Sequence, residues 1–261
     1  MKNKLVKPLE TSFQHGHTYI LGFGGRNTVV ECDYMVLMKG DTMLKRENIS
    51  DKLADVIGYR IIHNELKSAE IITETQIAQE WNISRSPVRD ALHILTKKWL
   101  LEKSSKGQYM VPVMNTDYVE NYYDAMSMFY QYSLARAAKF ITDEDSAFFL
   151  SLVEKIQKSI GYGDIDIYIQ ETGKFGRKVL QTARNPIIER SASELIPTSQ
   201  RFQFATYEID PLYPEKGFKH LWECYECLSR RDSANAAKSM GFLANVSKEI
   251  LVNHLKTKDK M

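Results

Sequence analysis

Little in this chain of 261 residues sets it apart by composition, and each shortage excludes something. It has three cysteines, Cys32, Cys224 and Cys227, an odd number and too few for a disulfide scaffold. A reducing, cytoplasmic setting is therefore expected. It has no excess of either charge: 35 Lys and Arg face 33 Asp and Glu, for a net charge of +2. That excludes a strongly basic tail but not a local basic patch, because net charge says nothing about distribution. It has no apolar run of 18 residues, so a membrane span is not expected. The opening MKNKLVKPLETSFQHGH has early lysines but no apolar stretch behind them, and does not read as a secretory signal. Catalytic signatures are missing too. No Ser-His-Asp spacing, metal cluster or phosphate loop occurs, and His63, His93 and His220 are scattered, so an enzyme is not expected. What remains, 26% charged and 43% hydrophobic residues, is ordinary for a folded chain of two domains.

Three pieces differ in pattern. Residues 1–43 are set apart as an N-terminal extension without sustained helical period. Within it TYILGFGG reads as strand and turn, and TVVECDYMVLM as a second strand. GFGG lacks the spacing and the following helix that a phosphate loop needs. Lys39-Gly40-Asp41-Thr42-Met43 can be encoded by a ribosome-binding sequence just before a start codon. The expectation is that the native chain begins at Met43, and the gene's nucleotide sequence tests it.

Residues 44–114 form a second piece. DKLADVIGYRIIHNEL places Leu53, Val56, Ile57, Ile61 and Ile62 at helical spacing. TETQIAQEW is a short helix with Ile77, Ala78 and Trp81 inward, and Thr73 with Gln76 makes a capping box. After the turn Asn82-Ile83-Ser84, SRSPVRDALHILTKKWL is a third helix. Ser84 fits its N-cap, and Pro87 lies in the first turn, where a missing N–H is harmless. LLEKSSKGQYMVPV then reads strand, turn, strand, with Gly107 at the turn. Helix, helix, turn, helix and β-hairpin predict a winged helix-turn-helix. Residues 115–261 are helical throughout, with six helices expected near 116–139, 143–160, 164–183, 186–208, 214–230 and 232–257. The fold class is mainly α: a winged helix-turn-helix, then an all-α six-helix bundle.

The strongest motif is Asn82 to Leu92. Arg85, Ser86 and Arg89 lie at or near a helix N-terminus, with the two arginines four apart on one face. Val88, Leu92 and Leu95 make the inward stripe. Such a helix can enter the major groove, with Arg pairing to guanine O6 and N7 and Ser86 reaching phosphate. Lys103, Lys106 and Gly107 sit on the wing, where glycine permits close approach to the duplex. The bland alternative is a solvated face pairing Arg85 and Arg89 with Asp90 and Glu80. The preceding helix, turn and wing favour DNA binding.

These residues resemble the GntR family of bacterial transcription regulators over about residues 48–250. Glu65-Leu66, Glu74-Thr75-Gln76-Ile77-Ala78 and Ile83 to Leu95 follow the family's pattern Glu-Leu, E-x-x-L-A and V-S-R-x-P-V-R-x-A-L-x-x-L. The bundle behind is similar to the FCD effector domain of the FadR-type branch. The resemblance implies a homodimer on a palindromic operator, two recognition helices in successive major grooves, and repression as the commoner outcome. Thr75 and Ser84 join the candidate DNA contacts on this basis. Departures are Ser68-Ala69 in place of Pro-Gly, and Thr75 where some members have Arg.

The resemblance also implies a divalent metal held by an Asp and three His. With Asn185-Pro186 and Arg231-Asp232 as anchors, those positions hold Thr172, Gly176, Leu221 and Leu243, so no metal or other cofactor is expected. His220 is one residue off and without partners. An arginine that often grips an effector carboxylate aligns with Met126. The stretch Tyr122 to Tyr130 is rich in aromatic residues and Met. Tyr123, Met126, Tyr130, Thr172, Gly176, Leu221 and Leu243 are the candidate pocket. Two alternatives stand: an apolar or aromatic effector, or a filled core with no effector. Cys224 and Cys227, three apart, offer a thiol redox sensor as a further alternative. Glu223 and Glu226 would raise their pKa, and buried structural thiols are the expectation.

Overall fold

The computed structural model describes residues 19–23, 26–30 and 46–258. Strands β1 (Tyr19–Phe23) and β2 (Arg26–Val30) pair antiparallel, with Tyr19 opposite Val30 and Phe23 opposite Arg26. They belong to a unit of their own, separate from residue 46 onward. The rest of the expected second strand, Cys32, and the proposed start at Met43 lie outside the described residues.

The second unit begins with a winged helix-turn-helix. Helix α1 (Arg46–Ile62) leads to strand β3 (Ile71–Ile72), then α2 (Glu74–Glu80) and α3 (Arg85–Lys97), then β4 (Glu102–Lys103) and β5 (Tyr109–Met110). The capping box forms: Thr73 Oγ1 accepts from Gln76 N at 3.2 Å, and Gln76 Oε1 accepts from Thr73 N at 3.3 Å. Asn82 makes the turn at φ +50°, a left-handed conformation that Asn tolerates. Ile57, Ile61, Val88, Leu92 and Leu95 close the core at 0% exposure, the outcome of helical spacing on two facing helices. Gly58 lets α1 approach α3: a Cβ there would lie 3.3 Å from Leu95 Cδ2.

The sheet has three strands in the order β3-β5-β4, all antiparallel. The expected hairpin is β4 and β5, and β3 is an addition. Two residues long, β3 has no local periodicity to betray it. It exists because Ile71 pairs with Met110 and Ile72 with Tyr109, with Ile72 buried.

Seven helices follow, not six: α4 (Thr116–Phe140), α5 (Asp143–Tyr162), α6 (Ile165–Thr182), α7 (Pro186–Ser193), α8 (Ile196–Ile209), α9 (Tyr213–Ser229) and α10 (Ser233–Lys258). The segment expected as one helix over 186–208 is broken at Glu194 and Leu195. Pro197 is the cause. It has no N–H to give to the Ser193 carbonyl, and it is accommodated in the first turn of a new helix. Caps fix the other starts: Asn115, Thr142, Asp164 and Asn185 each accept a backbone N–H through the side chain. Helix α4 packs chiefly on α10, and α6 lies between α5 and α8. Phe202 of α8 is fully buried among Tyr118, Tyr122 and Tyr123, with ring centroids 4.8–5.8 Å away.

Helix α8 also holds the winged helix to the bundle. Arg201, 3% exposed, donates from Nη1 to Pro112 O at 3.0 Å and from Nη2 to Ser68 Oγ at 2.9 Å. Burial pushes its guanidinium pKa down to about 10, so the group stays cationic at neutral pH. Thr198 Oγ1 donates to Trp99 O at 3.2 Å, and His63 Nε2 meets Asp166 Oδ1 at 2.6 Å. Ser68-Ala69, a departure from the family pattern, has a physical role on each side. Ser68 supplies the Arg201 acceptor. Ala69 takes φ +65°, which costs a residue with a Cβ about 1–2 kcal/mol.

Removing Arg201 strips both of its bonds and leaves the buried Pro112 carbonyl without its partner. Arg201→Ala should lower unfolding free energy by on the order of 2–4 kcal/mol, read by urea denaturation. A change below about 0.5 kcal/mol, the scatter of surface substitutions, would show that the contact does not hold the two parts together.

Candidate nucleic-acid interface and helical-domain cavity

Helix α3 buries Pro87, Val88, Ala91, Leu92 and Leu95, and this fixes the opposite face outward. Arg85 and Arg89 are exposed on it, with Ser86 partly covered. Ser84 occupies the N-cap with extended backbone but makes no side-chain cap bond. Its exposed hydroxyl and the first N–H groups of α3 therefore point into solvent at the positive end of the helix dipole, where phosphate is favoured. The acidic partners considered for the arginines are not engaged with them. Glu80 is held by Arg60 at 3.2 Å, and among the described residues neither Arg85 nor Arg89 forms an ion pair.

The wing adds exposed cations. Lys103 and Lys106 are exposed, and Lys103 Nζ lies 5.5 Å from the Tyr109 ring centroid. The turn closes by Gly107 N donating to Ser104 O at 2.8 Å, with Gly107 at φ +74°. No atom crowds that glycine, so it is required for its backbone conformation rather than for space. Thr75 stands in the first turn of α2, partly exposed. His93, not among the candidates, is exposed on α3 eight residues past Arg85 and meets Tyr109 edge-on at 6.0 Å.

In the helical part, all seven candidate pocket residues line one cavity of about 90 Å³. Tyr123, Met126 and Tyr130 come from α4, Thr172 and Gly176 from α6, Leu221 from α9, and Leu243 from α10. Gly176 is needed where it stands, because Tyr130 Oη already fills the space a Cβ would take. The phenol comes from the facing helix α4. The donor set does not fit a divalent metal. Thr172 Oγ1 is committed to Tyr168 O and Gln203 Oε1 at 2.8 and 2.9 Å, and the other three positions offer no donor. Burial drives the Tyr130 phenol far above its ordinary pKa, so it stays a neutral O–H and not a phenolate ligand.

Two thirds of this wall were not among the candidates. Tyr168, Ser199, Gln200, Gln203, Tyr213 and Ser247 also line the cavity, which adds polar groups from α6, α8, α9 and α10 to a lining expected to be apolar. Tyr123 Oη donates to Ser247 Oγ at 2.6 Å, and Ser247 and Thr206 share a second bond of 2.6 Å. The available signal was α8 itself, which carries Ser199, Gln200, Gln203 and Thr206 within a bundle. The cysteines sit elsewhere, on α9. Cys224 is fully buried, and desolvation pushes its thiol up to about 12. Cys227 is raised as well, by burial first and then by Asp232.

Known proteins match both halves. Residues 49–109 match the model of bacterial regulatory proteins of the gntR family, and residues 122–241 match the FCD domain. The gluconate operon transcriptional repressor of Bacillus licheniformis is 24% identical over 166 residues, 64% of this chain and 68% of that protein. Its counterpart in Bacillus subtilis is 23% identical over 159 residues, 61% of this chain and 65% of that protein. Among solved structures, E. coli McbR/YncC superposes with TM-score 0.66 at 18% identity, covering 83% of this chain and all of that one, a likeness of fold. The chain belongs to the GntR family of transcription regulators, with an FCD domain behind its winged helix-turn-helix.

Proposed function

We propose that the protein is a cytoplasmic transcriptional repressor that binds a palindromic operator as a homodimer. In this reading residues 44–114 read DNA, and residues 115–261 dimerise and hold an effector. The observation that carries it is the exposed pair Arg85 and Arg89 at the N-terminus of α3, with no ion pair among the described residues, on a helix whose other face is buried. The arginines reach base edges, while Ser84, Ser86, Thr75 and the wing residues Lys103, Lys106 and Gly107 hold the backbone. The repressor names of the relatives support the sign of regulation.

An effector in the cavity would act through α8. Its Ser199, Gln200 and Gln203 line the cavity, while Thr198 and Arg201 hold the winged helix. A ligand that resets α8 changes the pose of the DNA-reading part, which is the physical content of coupling between two sites.

Arg85→Ala or Arg89→Ala should weaken specific operator binding by about 1–3 kcal/mol, measured by fluorescence anisotropy. Lys103→Ala and Lys106→Ala should weaken all sequences alike and lower the salt slope by about 1 each. Unchanged affinity in both arginine variants would remove the recognition role of α3.

The redox alternative loses support from burial. A thiol raised to about 12 is almost wholly protonated at pH 7, and the thiolate is the reactive form. Operator release by peroxide, if any occurs, should be the same in wild type and in a Cys224→Ser, Cys227→Ser double variant. Release that the double variant abolishes would reinstate the sensor.

A further inference from the structure

The cavity walls differ in kind. Toward α4, α6 and α8 stand uncharged hydrogen-bonding groups: Tyr130 Oη, Gln200 and Gln203. Toward α9 and α10 stand Leu221 and Leu243, beside Tyr213 and Ser247. Among the described residues no charged side chain lines it; Arg177 Nη2 lies 3.6 Å from where a Cβ of Gly173 would be, and its charge acts on Tyr130.

Tyr130 is the group that asks for a partner. It is 8% exposed, it lines the cavity, and its hydroxyl makes no hydrogen bond among the described residues. The hydroxyl opens into the cavity, where a ligand that pairs with it would replace water. Gln200 is barely committed, with Nε2 reaching Ile169 O at 3.5 Å, the outer limit of a hydrogen bond.

Charge and size narrow the ligand. A carboxylate here would be largely desolvated, because no cation lines the cavity among the described residues; Arg177, outside the lining, acts on Tyr130 only through space. The volume, about 90 Å³, is below the ~150 Å³ of a cavity that holds benzene, which limits the occupant to a few heavy atoms.

We infer that the cavity binds a small uncharged hydroxy compound, a short-chain alcohol or diol, with its hydroxyl on Tyr130 and its carbon end on Leu221 and Leu243. This rests on the reading of the helical domain as the effector-binding part. It places recognition in a phenol and an amide rather than in a metal and an arginine.

The test is saturation-transfer NMR on the full chain with propane-1,2-diol and with lactate, which carries a carboxylate in place of one hydroxymethyl group. The diol should receive saturation and lactate should not. Tyr130→Phe, which keeps the ring, should weaken diol binding about fivefold, and Leu221→Phe, which fills the cavity, should abolish it. Thermal melts establish that both variants fold. Lactate binding equal to the diol's, diol binding unchanged in both variants, or no diol binding to the folded wild type would each overturn the inference. Operator anisotropy with and without diol separates the two levels. Diol binding without change in operator affinity supports the ligand class and removes effector control. Operator binding without diol binding overturns the ligand class and leaves the regulator.

Discussion

The second unit depends on a buried cation that forms no ion pair among the described residues, with Glu102 acting on it only through space. Arg201 takes its guanidinium out of water and gives it two neutral oxygens, one from Pro112 and one from Ser68. Desolvating a charge is expensive unless hydrogen bonds are well made. The cost confines the pose of the winged helix on the bundle, because a displaced Arg201 would lose both acceptors while still largely buried. Helix α8 can carry this residue because Pro197 cuts it from α7 and lets it run as its own element. One face then reaches the cavity and the other the DNA-reading part. In the proposed mechanism this two-sided helix is the shared part whose position both sites bias.

Close packing shapes the cavity. Gly176 leaves room that Tyr130 fills from the facing helix, and voids in packed interiors are unfavourable. The hydroxyls of Tyr123, Thr206 and Ser247 close a network beside it. Tyr130 is left outside that network, with its hydroxyl on the cavity wall.

Much of this was legible in the chain. Helical spacing named the buried stripe of α3, and the Thr73–Gln76 box named the start of α2, because both are local and set by neighbours three or four residues away. Thr172, Gly176, Leu221 and Leu243 follow from family spacing anchored at Asn185-Pro186 and Arg231-Asp232, Met126 from the aligned arginine, and Tyr123 and Tyr130 from an aromatic stretch; one cavity is lined by all seven. What stayed hidden was set at long range. Strand β3 needs Met110 and Tyr109 to exist, and the role of Arg201 needs Ser68, 133 residues away. Pro197 was in plain view, but its effect was masked because apolar periodicity runs on through the break. The cavity's polar side was missed because glutamines on a helix ordinarily face water.

In the proposed mechanism α3 reads guanine edges in the major groove, twice, through a dimer. The most direct measurement is dimethyl sulfate protection of guanine N7 on the tightest-binding DNA selected from a random pool. The account predicts two protected clusters in symmetric half-sites, their centres about one helical turn or a whole multiple apart. Protection of a single cluster, or methylation interference only at minor-groove adenines with N7 left reactive, would contradict it.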